Sequence, residues 1–97
     1  MAKAYWVVCY HSISDEAALK EYAKLAGPAT EAMGGRYLAR GMPAKVHESG
    51  LNQRTVVVEF PSLEKALAAH ETPGYQAALK ALGNAAKRDI RIIEGLG

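Results

Sequence analysis

The sequence predicts an α+β domain in which a four-stranded antiparallel sheet carries its helices on one face. Segments rich in β-branched and aromatic residues alternate with amphipathic helical segments, in the order strand, helix, strand, strand, helix, strand. Glycine and proline mark most of the boundaries between them. This order is that of the ferredoxin-like βαββαβ topology. A length of 97 residues allows one domain, residues 1–97.

The first strand and the first helix occupy the N-terminal third of the chain. Ala4 to His11 has the aromatic and branched residues of a strand, and Ser14 can cap the helix that follows. The apolar residues of this helix form one stripe: Ala18, Tyr22, Leu25, Ala26, Ala29 and Met33. Pro28 interrupts it, because its ring clashes with the carbonyl group of Lys24 and it has no amide hydrogen. We therefore expect the helix to kink or restart at Pro28.

The second strand follows a glycine pair that ends the first helix. Gly34-Gly35 is a typical helix terminator, and Arg36 to Arg40 is a short strand. The chain bends at Gly41 to Pro43, and we expect Ala44 to Glu48 to extend the strand beyond the bend.

The third strand, two short helices and the last strand complete the order. Arg54 to Phe60 is the clearest strand of the chain, and Ser62 caps the second helix. Pro73 suits the first position of a third helix, which Gly83 ends. Arg88 to Glu94 is the last strand.

Both faces of the predicted sheet are apolar. Alternation along the first strand divides its side chains into two sets, Tyr5, Val7 and Cys9 on one face and Trp6, Val8 and Tyr10 on the other. Helices cover only one face, so the second face needs another cover. We predict a homodimer whose sheets pack face to face, with about 800 Å² buried per partner. The alternative is a monomer with some exposed apolar surface.

Composition and charge exclude several classes of protein. The single cysteine, Cys9, permits no internal disulfide and no cysteine-cluster metal site. The longest apolar run, Ala4 to Tyr10, is seven residues, against about 20 for a membrane span. A net charge of +2 and the lack of stacking aromatics in the third strand argue against a nucleic-acid partner. We expect a cytoplasmic protein with no metal, cofactor, nucleic acid or membrane partner.

Short motifs spread over nearly the whole chain resemble a known family. They are Tyr5-Trp6-Val7, Gly34 to Gly41, Val57 to Ser62, Thr72 to Gln76 and Glu94-Gly95. In their order and spacing they are similar to the domain-of-unknown-function family 1330. The resemblance implies a dimeric α+β barrel, in which two ferredoxin-like subunits join their sheets. The wider superfamily includes cofactor-free monooxygenases, haem-degrading enzymes and plain ligand-binding modules, so the resemblance implies no single reaction.

Strand parity suggests a site inside the barrel. Thr55, Val57 and Glu59 would face the partner, and Arg36 and Arg40 share one face of the neighbouring strand. We expect Arg40 to meet Glu59, since a buried carboxylate needs a partner and arginine pairs with it best. If these residues form a functional site, Arg36 and Arg40 bind a substrate anion and Glu59 acts as a base. The alternative is a structural ion pair.

Three further residues are candidates for the same site. His11 is a candidate general base, because the ordinary pKa of histidine suits neutral pH, or else an exposed strand-end residue. His70 and Tyr75 are candidate ligand-binding residues, or else parts of the core.

The predicted function is therefore that of a small-molecule-binding barrel for a small anionic ligand. It would either bind that ligand or act on a carbonyl or carboxylate compound by cofactor-free proton abstraction. The alternatives are a non-catalytic dimerising module and a monooxygenase that oxidises haem or a quinone.

Overall fold

Four strands and three helices form the predicted ferredoxin-like arrangement in the computed structural model, which describes residues 2–97. The elements are β1 (Ala4–Ile13), α1 (Glu16–Ala32), β2 (Arg36–Gly41), β3 (Thr55–Phe60), α2 (Leu63–His70), α3 (Pro73–Leu82) and β4 (Ala86–Glu94). The sheet is antiparallel with the order β2-β3-β1-β4. The predicted fold class is confirmed.

The core lies between one face of the sheet and the helices. The buried strand residues alternate along β1 and β3: Ala4, Trp6, Val8, Tyr10, Val56, Val58 and Phe60. The helices contribute Leu19, Tyr22, Ala26, Ala66, Ala69, Tyr75, Ala78 and Leu82. We call this side the helix face of the sheet and the other side the open face. The alternation predicted for β1 and β3 is confirmed.

Helix α1 passes through Pro28 without a break, so the predicted restart is wrong, while the kink at Pro28 stays a prediction. It begins after Asp15, whose carboxylate accepts a hydrogen bond from the amide of Ala18, and not after Ser14. Pro28 and Lys24 are both exposed. The carbonyl group of Lys24 lacks its hydrogen bond within the helix, because the nitrogen of Pro28 carries no hydrogen. Water can reach that carbonyl group, which lowers the cost of the missing hydrogen bond.

Strand β2 ends at Gly41, so the predicted extension over Ala44 to Glu48 is wrong. Gly41 pairs with Thr55, the first residue of β3, and residues 42–54 form an irregular connection. Pro43 has no amide hydrogen for a sheet ladder, and Glu48 has a left-handed φ of 55°. Both features oppose a strand.

The two layers make a flat molecule of 37 × 34 × 15 Å. Its open face carries apolar side chains that no helix covers, among them the partly exposed Val7 and Val57 and the exposed Ile93. In residues 2–97 no helix combines the length and the apolar character that crossing a bilayer requires.

Candidate functional site

A bulge in β2 decides which arginines lie under the helices. Tyr37 pairs with Val58 and Arg40 pairs with Val56, so both lie on the helix face although they are three residues apart. The register shifts at Leu38, which is the extra residue. A one-residue shift sends every following side chain to the opposite face. Arg40 therefore lies on the helix face and not on the open face.

The predicted meeting of Arg40 and Glu59 is wrong for this reason. Glu59 lies on the open face, with Arg36 opposite it in the register. Among residues 2–97 its ion pair is with Lys3, whose Nζ lies 3.4 Å from Oε1. The sheet thus separates Glu59 and Arg36 from Arg40.

His11 also lies away from Arg40. The pairing of β1 with β4 shifts between Tyr10 and Ser12, and the His11 side chain is half exposed. Its Nε2 lies 3.9 Å from Oδ2 of Asp89, which stands opposite Cys9 on the open face. The expectation that His11 shares a cavity with Arg40 is wrong.

The candidate site is a cleft between the helix face and α1, which we call the arginine cleft. It has a volume of about 430 Å³ with its open mouth included. Its polar and aromatic lining consists of Arg40, Arg54, Arg88, Trp6, Tyr10, Tyr22 and Tyr37. Its remaining lining is aliphatic: Val8, Leu19, Ala23, Ala26, Val56 and Val58. No carboxylate and no histidine lines the cleft among the residues the structure describes.

Arg88 is held at the inner end of the cleft by three tyrosine hydroxyls. Its Nη1 donates to Tyr10 at 3.1 Å and to Tyr22 at 2.9 Å, and its Nη2 donates to Tyr75 at 3.1 Å. The hydroxyls of Tyr22 and Tyr75 are 2.7 Å apart. The guanidinium also lies over the Tyr22 ring, 4.5 Å from its centroid. Arg88 is thus fixed in place without an acidic partner.

Arg40 and Arg54 lie against aromatic rings rather than acids. The Arg40 guanidinium is 5.0 Å from the centroid of Tyr37, and that of Arg54 is 6.0 Å from the centroid of Tyr10. Nε of Arg54 is buried and has no hydrogen-bond partner among residues 2–97. With the positive charge of Arg88, these charges make the cleft electropositive.

Burial and hydrogen bonding fix the charge states of the inner groups. Burial, with the charge of Tyr75 as a second cause, raises the pKa of Tyr22, although Arg88 acts to lower it. Burial acts to lower the pKa of Arg88, but Tyr22, Tyr75 and Tyr10 together raise it. At neutral pH Tyr22 is therefore a neutral hydroxyl group and Arg88 is a cation.

Two other residues predicted for ligand binding lie behind the cleft wall. Tyr75 is fully buried and reaches the cleft only through its bonds to Tyr22 and Arg88. The His70 ring packs on Tyr75 at 5.1 Å between centroids, and its Nδ1 is 2.8 Å from a carboxylate oxygen of Glu71. His70 does not line the cleft.

Four residues of this site were not predicted from the sequence: Tyr10, Tyr22, Arg54 and Arg88. A signal for both arginines was present in the alternation. Arg54 is in phase with Val56, and Arg88 is in phase with Ile90, so each arginine stands where the pattern predicts a core residue. A charged residue at a buried position is uncommon unless it has a partner or a function. Within residues 2–97 no group of His, Cys, Asp and Glu side chains is arranged to hold a metal ion.

Residues 3–96 match the family model for DUF1330, a domain of unknown function. The chain belongs to the DUF1330 family. No curated protein gives a significant match to this DUF1330 domain.

Several solved structures resemble this DUF1330 domain in fold. A protein of unknown function from Rhodopseudomonas palustris gives a TM-score of 0.76 at 16% identity, over 99% of this chain and 84% of that one. A dimeric ferredoxin-like protein of unknown function from Thermobifida fusca gives 0.66 at 13% identity, over 97% and 92%. SnoaB, a cofactor-independent oxygenase from Streptomyces nogalater, gives 0.62 at 11% identity, over 100% and 96%. At these identities the likeness establishes the fold alone.

Proposed function

We propose that this DUF1330 protein is a homodimeric α+β barrel that binds a small organic anion in the arginine cleft. The observation that carries the proposal is the charge of the lining: Arg40, Arg54 and Arg88 contribute three positive charges, and none of the described lining residues is acidic. Arg54 and Arg88 are partly buried, and proteins normally offset the cost of removing such cations from water with a carboxylate. A bound anion would supply the missing charge.

The walls of the cleft indicate an organic ligand rather than an inorganic ion. Trp6, Tyr10, Tyr22 and Tyr37 line it together with aliphatic side chains. Small-molecule sites typically combine such apolar walls with a few polar groups that orient the ligand. Arginine is suited to carboxylates in particular, since its guanidinium group can donate two parallel hydrogen bonds.

The proposal is for binding and leaves out proton abstraction within the cleft. A general base must lie within hydrogen-bond reach of the proton that it removes. His11 and Glu59 are on the open face, across the sheet from the cleft. A catalytic role for either residue therefore requires a second site, between the sheets of the two protomers.

The homodimer is supported by the open face and by a structural neighbour. The surface area of the chain is 6191 Å². A compact monomer of this mass exposes about 5,400 Å². The chain thus exposes more surface than a compact monomer of its mass, and part of that surface is the apolar open face that a partner would cover. The Thermobifida fusca neighbour is described as dimeric.

Thermal unfolding and calorimetry with simple organic acids test the binding proposal. We expect benzoate-like acids to raise the melting temperature, since a ligand at 100 times its dissociation constant adds about 2.7 kcal/mol of stability. Arg54→Gln should weaken binding at least tenfold, because it removes one cleft charge. The matched control is Arg36→Gln, which removes the same charge from the open face. Equal effects of the two variants, or no response to any acid, would contradict the proposal.

A further inference from the structure

The hydrogen bonds at the inner end of the cleft have one consistent direction. Tyr75 is fully buried, and its hydroxyl lies near two polar groups, the Tyr22 hydroxyl and Nη2 of Arg88. Arginine can only donate, so the Tyr22 oxygen is the sole acceptor for the Tyr75 proton among the described residues. A buried hydroxyl left without an acceptor costs about 1–3 kcal/mol. Tyr75 therefore donates to Tyr22.

With this direction, the hydroxyl group of Tyr22 can donate a hydrogen bond to a ligand in the cleft. The Tyr22 oxygen accepts from Tyr75 and from Nη1 of Arg88, which occupies both of its lone pairs. Its own O–H group has no acceptor among the described residues, although Tyr22 lines the cleft. Tyr10 also accepts from Arg88 and lines the cleft. Donation from a cation polarises both hydroxyl groups and strengthens them as donors.

The cleft thus has donors at two depths. The inner donors are the hydroxyl groups of Tyr10 and Tyr22, which are 3% and 9% exposed as residues, with Arg88 behind them. The outer donors are the exposed Arg40 and the partly exposed Arg54, whose Nε has no partner. Aromatic and aliphatic side chains lie along the same cleft.

Tyr10 and Tyr22 are buried, whereas Arg40 is exposed, so the cleft opens on the side of Arg40. The body of a ligand whose anionic group lies at the inner end must then extend toward this mouth.

From this arrangement we infer that the ligand is an organic dianion with a flat apolar body between its two anionic groups. One group accepts hydrogen bonds from Tyr10 and Tyr22, and the other pairs with Arg40 and Arg54. Arg88 supplies the inner charge through the hydroxyl groups that it holds. The inference rests on the proposed function and adds to it the number of charges on the ligand and their placement.

Dicarboxylates and their own monomethyl esters test this inference, because each ester keeps the body and loses one charge. The probes are fumarate, isophthalate and terephthalate, titrated by calorimetry at fixed ionic strength against the purified full chain. We expect at least one dianion to bind ten- to hundredfold more tightly than its monoester, the range of a hydrogen-bonded charged group. Tyr22→Phe and, separately, Arg54→Gln should each reduce that ratio to within threefold. Arg36→Gln on the open face should leave it unchanged.

The outcomes separate this inference from the function on which it rests. If dianions and monoesters bind the wild-type chain equally well, the dianion inference is wrong and the anion-binding function stands. If neither class binds, both are wrong. If Tyr22→Phe keeps the full ratio and its circular dichroism matches wild type, the inner role of Tyr22 is wrong. If Tyr22→Phe does not fold, Arg54→Gln alone decides: loss of the ratio supports the inference, and an unchanged ratio overturns it.

Discussion

Arg88 keeps its charge beside the core because its surroundings are electron-rich without being acidic. Three tyrosine hydroxyls accept its hydrogen bonds, and the rings of Tyr10 and Tyr22 lie 5.4 and 4.5 Å from its guanidinium carbon. A carboxylate partner would also satisfy Arg88, but it would cancel the positive charge. Tyrosines satisfy the hydrogen bonds and leave the charge uncancelled. This arrangement suits a site that attracts an anion.

Tyr22 should make the protein less stable at high pH. Burial raises its pKa in the folded chain above the ordinary value of 10.0. Its contribution to stability is therefore fully present below pH 10 and is lost as the pH rises further, because the unfolded tyrosine ionises and the folded one does not. We expect the free energy of unfolding to fall above pH 10 by up to about 1.4 kcal/mol per pH unit from this group.

Denaturant unfolding at pH 9 to 12 measures this loss. Tyr22→Phe should show a shallower decline than wild type over the same range, since it lacks the group. Tyr5→Phe is the control, because Tyr5 lies on the open face and its hydroxyl has no hydrogen-bond partner among residues 2–97. Parallel curves for wild type and Tyr22→Phe would contradict the assignment.

At the scale of elements, alternation predicted the strands that have a regular ladder and failed at the bulge. Strand β1 pairs with β3, and with β4 as far as Tyr10, without a shift in register. The alternation of side chains therefore predicted the buried faces of β1 and β3 correctly. Strand β2 has six residues with one bulge, and its exposed residues carry no apolar pattern that would reveal the shift. Arg40 was therefore predicted for the wrong face.

The same limit explains how much of the site could be predicted. Arg40 was predicted from strand parity and Tyr75 from its residue type, but the partner assigned to Arg40 was wrong because of the bulge at Leu38. Arg88 and Tyr22 meet across 66 positions of sequence. Their contact depends on how α1 lies across the sheet, and no local pattern specifies that placement. Charge at positions where the alternation predicts core residues indicates Arg54 and Arg88, but it does not indicate the tyrosines that surround Arg88.

The two helical prolines should respond in opposite directions to replacement by alanine. Pro28 lies inside α1, where proline costs about 3 kcal/mol relative to alanine. Pro28→Ala restores the amide hydrogen that the carbonyl group of Lys24 can accept. The same change raises the conformational entropy of the unfolded chain, which lowers the free energy of unfolding by about 0.4–1 kcal/mol. Because water offsets part of the lost hydrogen bond at this exposed position, we expect a net gain of about 1–2 kcal/mol in the free energy of unfolding.

Pro73→Ala is the matched comparison for this prediction. Pro73 is at the start of α3, where the amide has no partner within the helix and the fixed φ of proline is suitable. We expect that variant to lose about 0.4–1 kcal/mol. Urea unfolding of both variants measures the difference. A loss of stability in Pro28→Ala would show that the proline already fits α1 without strain.

At the scale of the whole molecule, the sheet separates two different surfaces. One surface holds the arginine cleft under the helices, and the other is the open face, with Val7 opposite Val57 near its middle. In a homodimer the open faces would meet and the two clefts would remain on the outside. Ligand binding and dimerisation should therefore be separable by mutation.

Val57→Asp should dissociate the proposed dimer without unfolding the chain. Val57 pairs with Val7 on one side and Ala39 on the other, so an aspartate there would be buried between two sheets without a partner. Such burial costs several kcal/mol in a dimer, whereas in a monomer the same carboxylate is in water. We expect light scattering at micromolar concentration to give twice 10.4 kDa for wild type and the monomer mass for Val57→Asp.

Leu67→Asp is the control for this change, because Leu67 is an exposed apolar residue of α2, on the opposite layer of the molecule. It should leave the mass at that of the dimer. The Val57→Asp monomer should still bind the organic acids that wild type binds, since Arg40, Arg54 and Arg88 all lie on the helix face of one chain. A wild-type monomer at every concentration would contradict the homodimer. Loss of binding in a folded Val57→Asp monomer would show that the cleft needs the partner subunit.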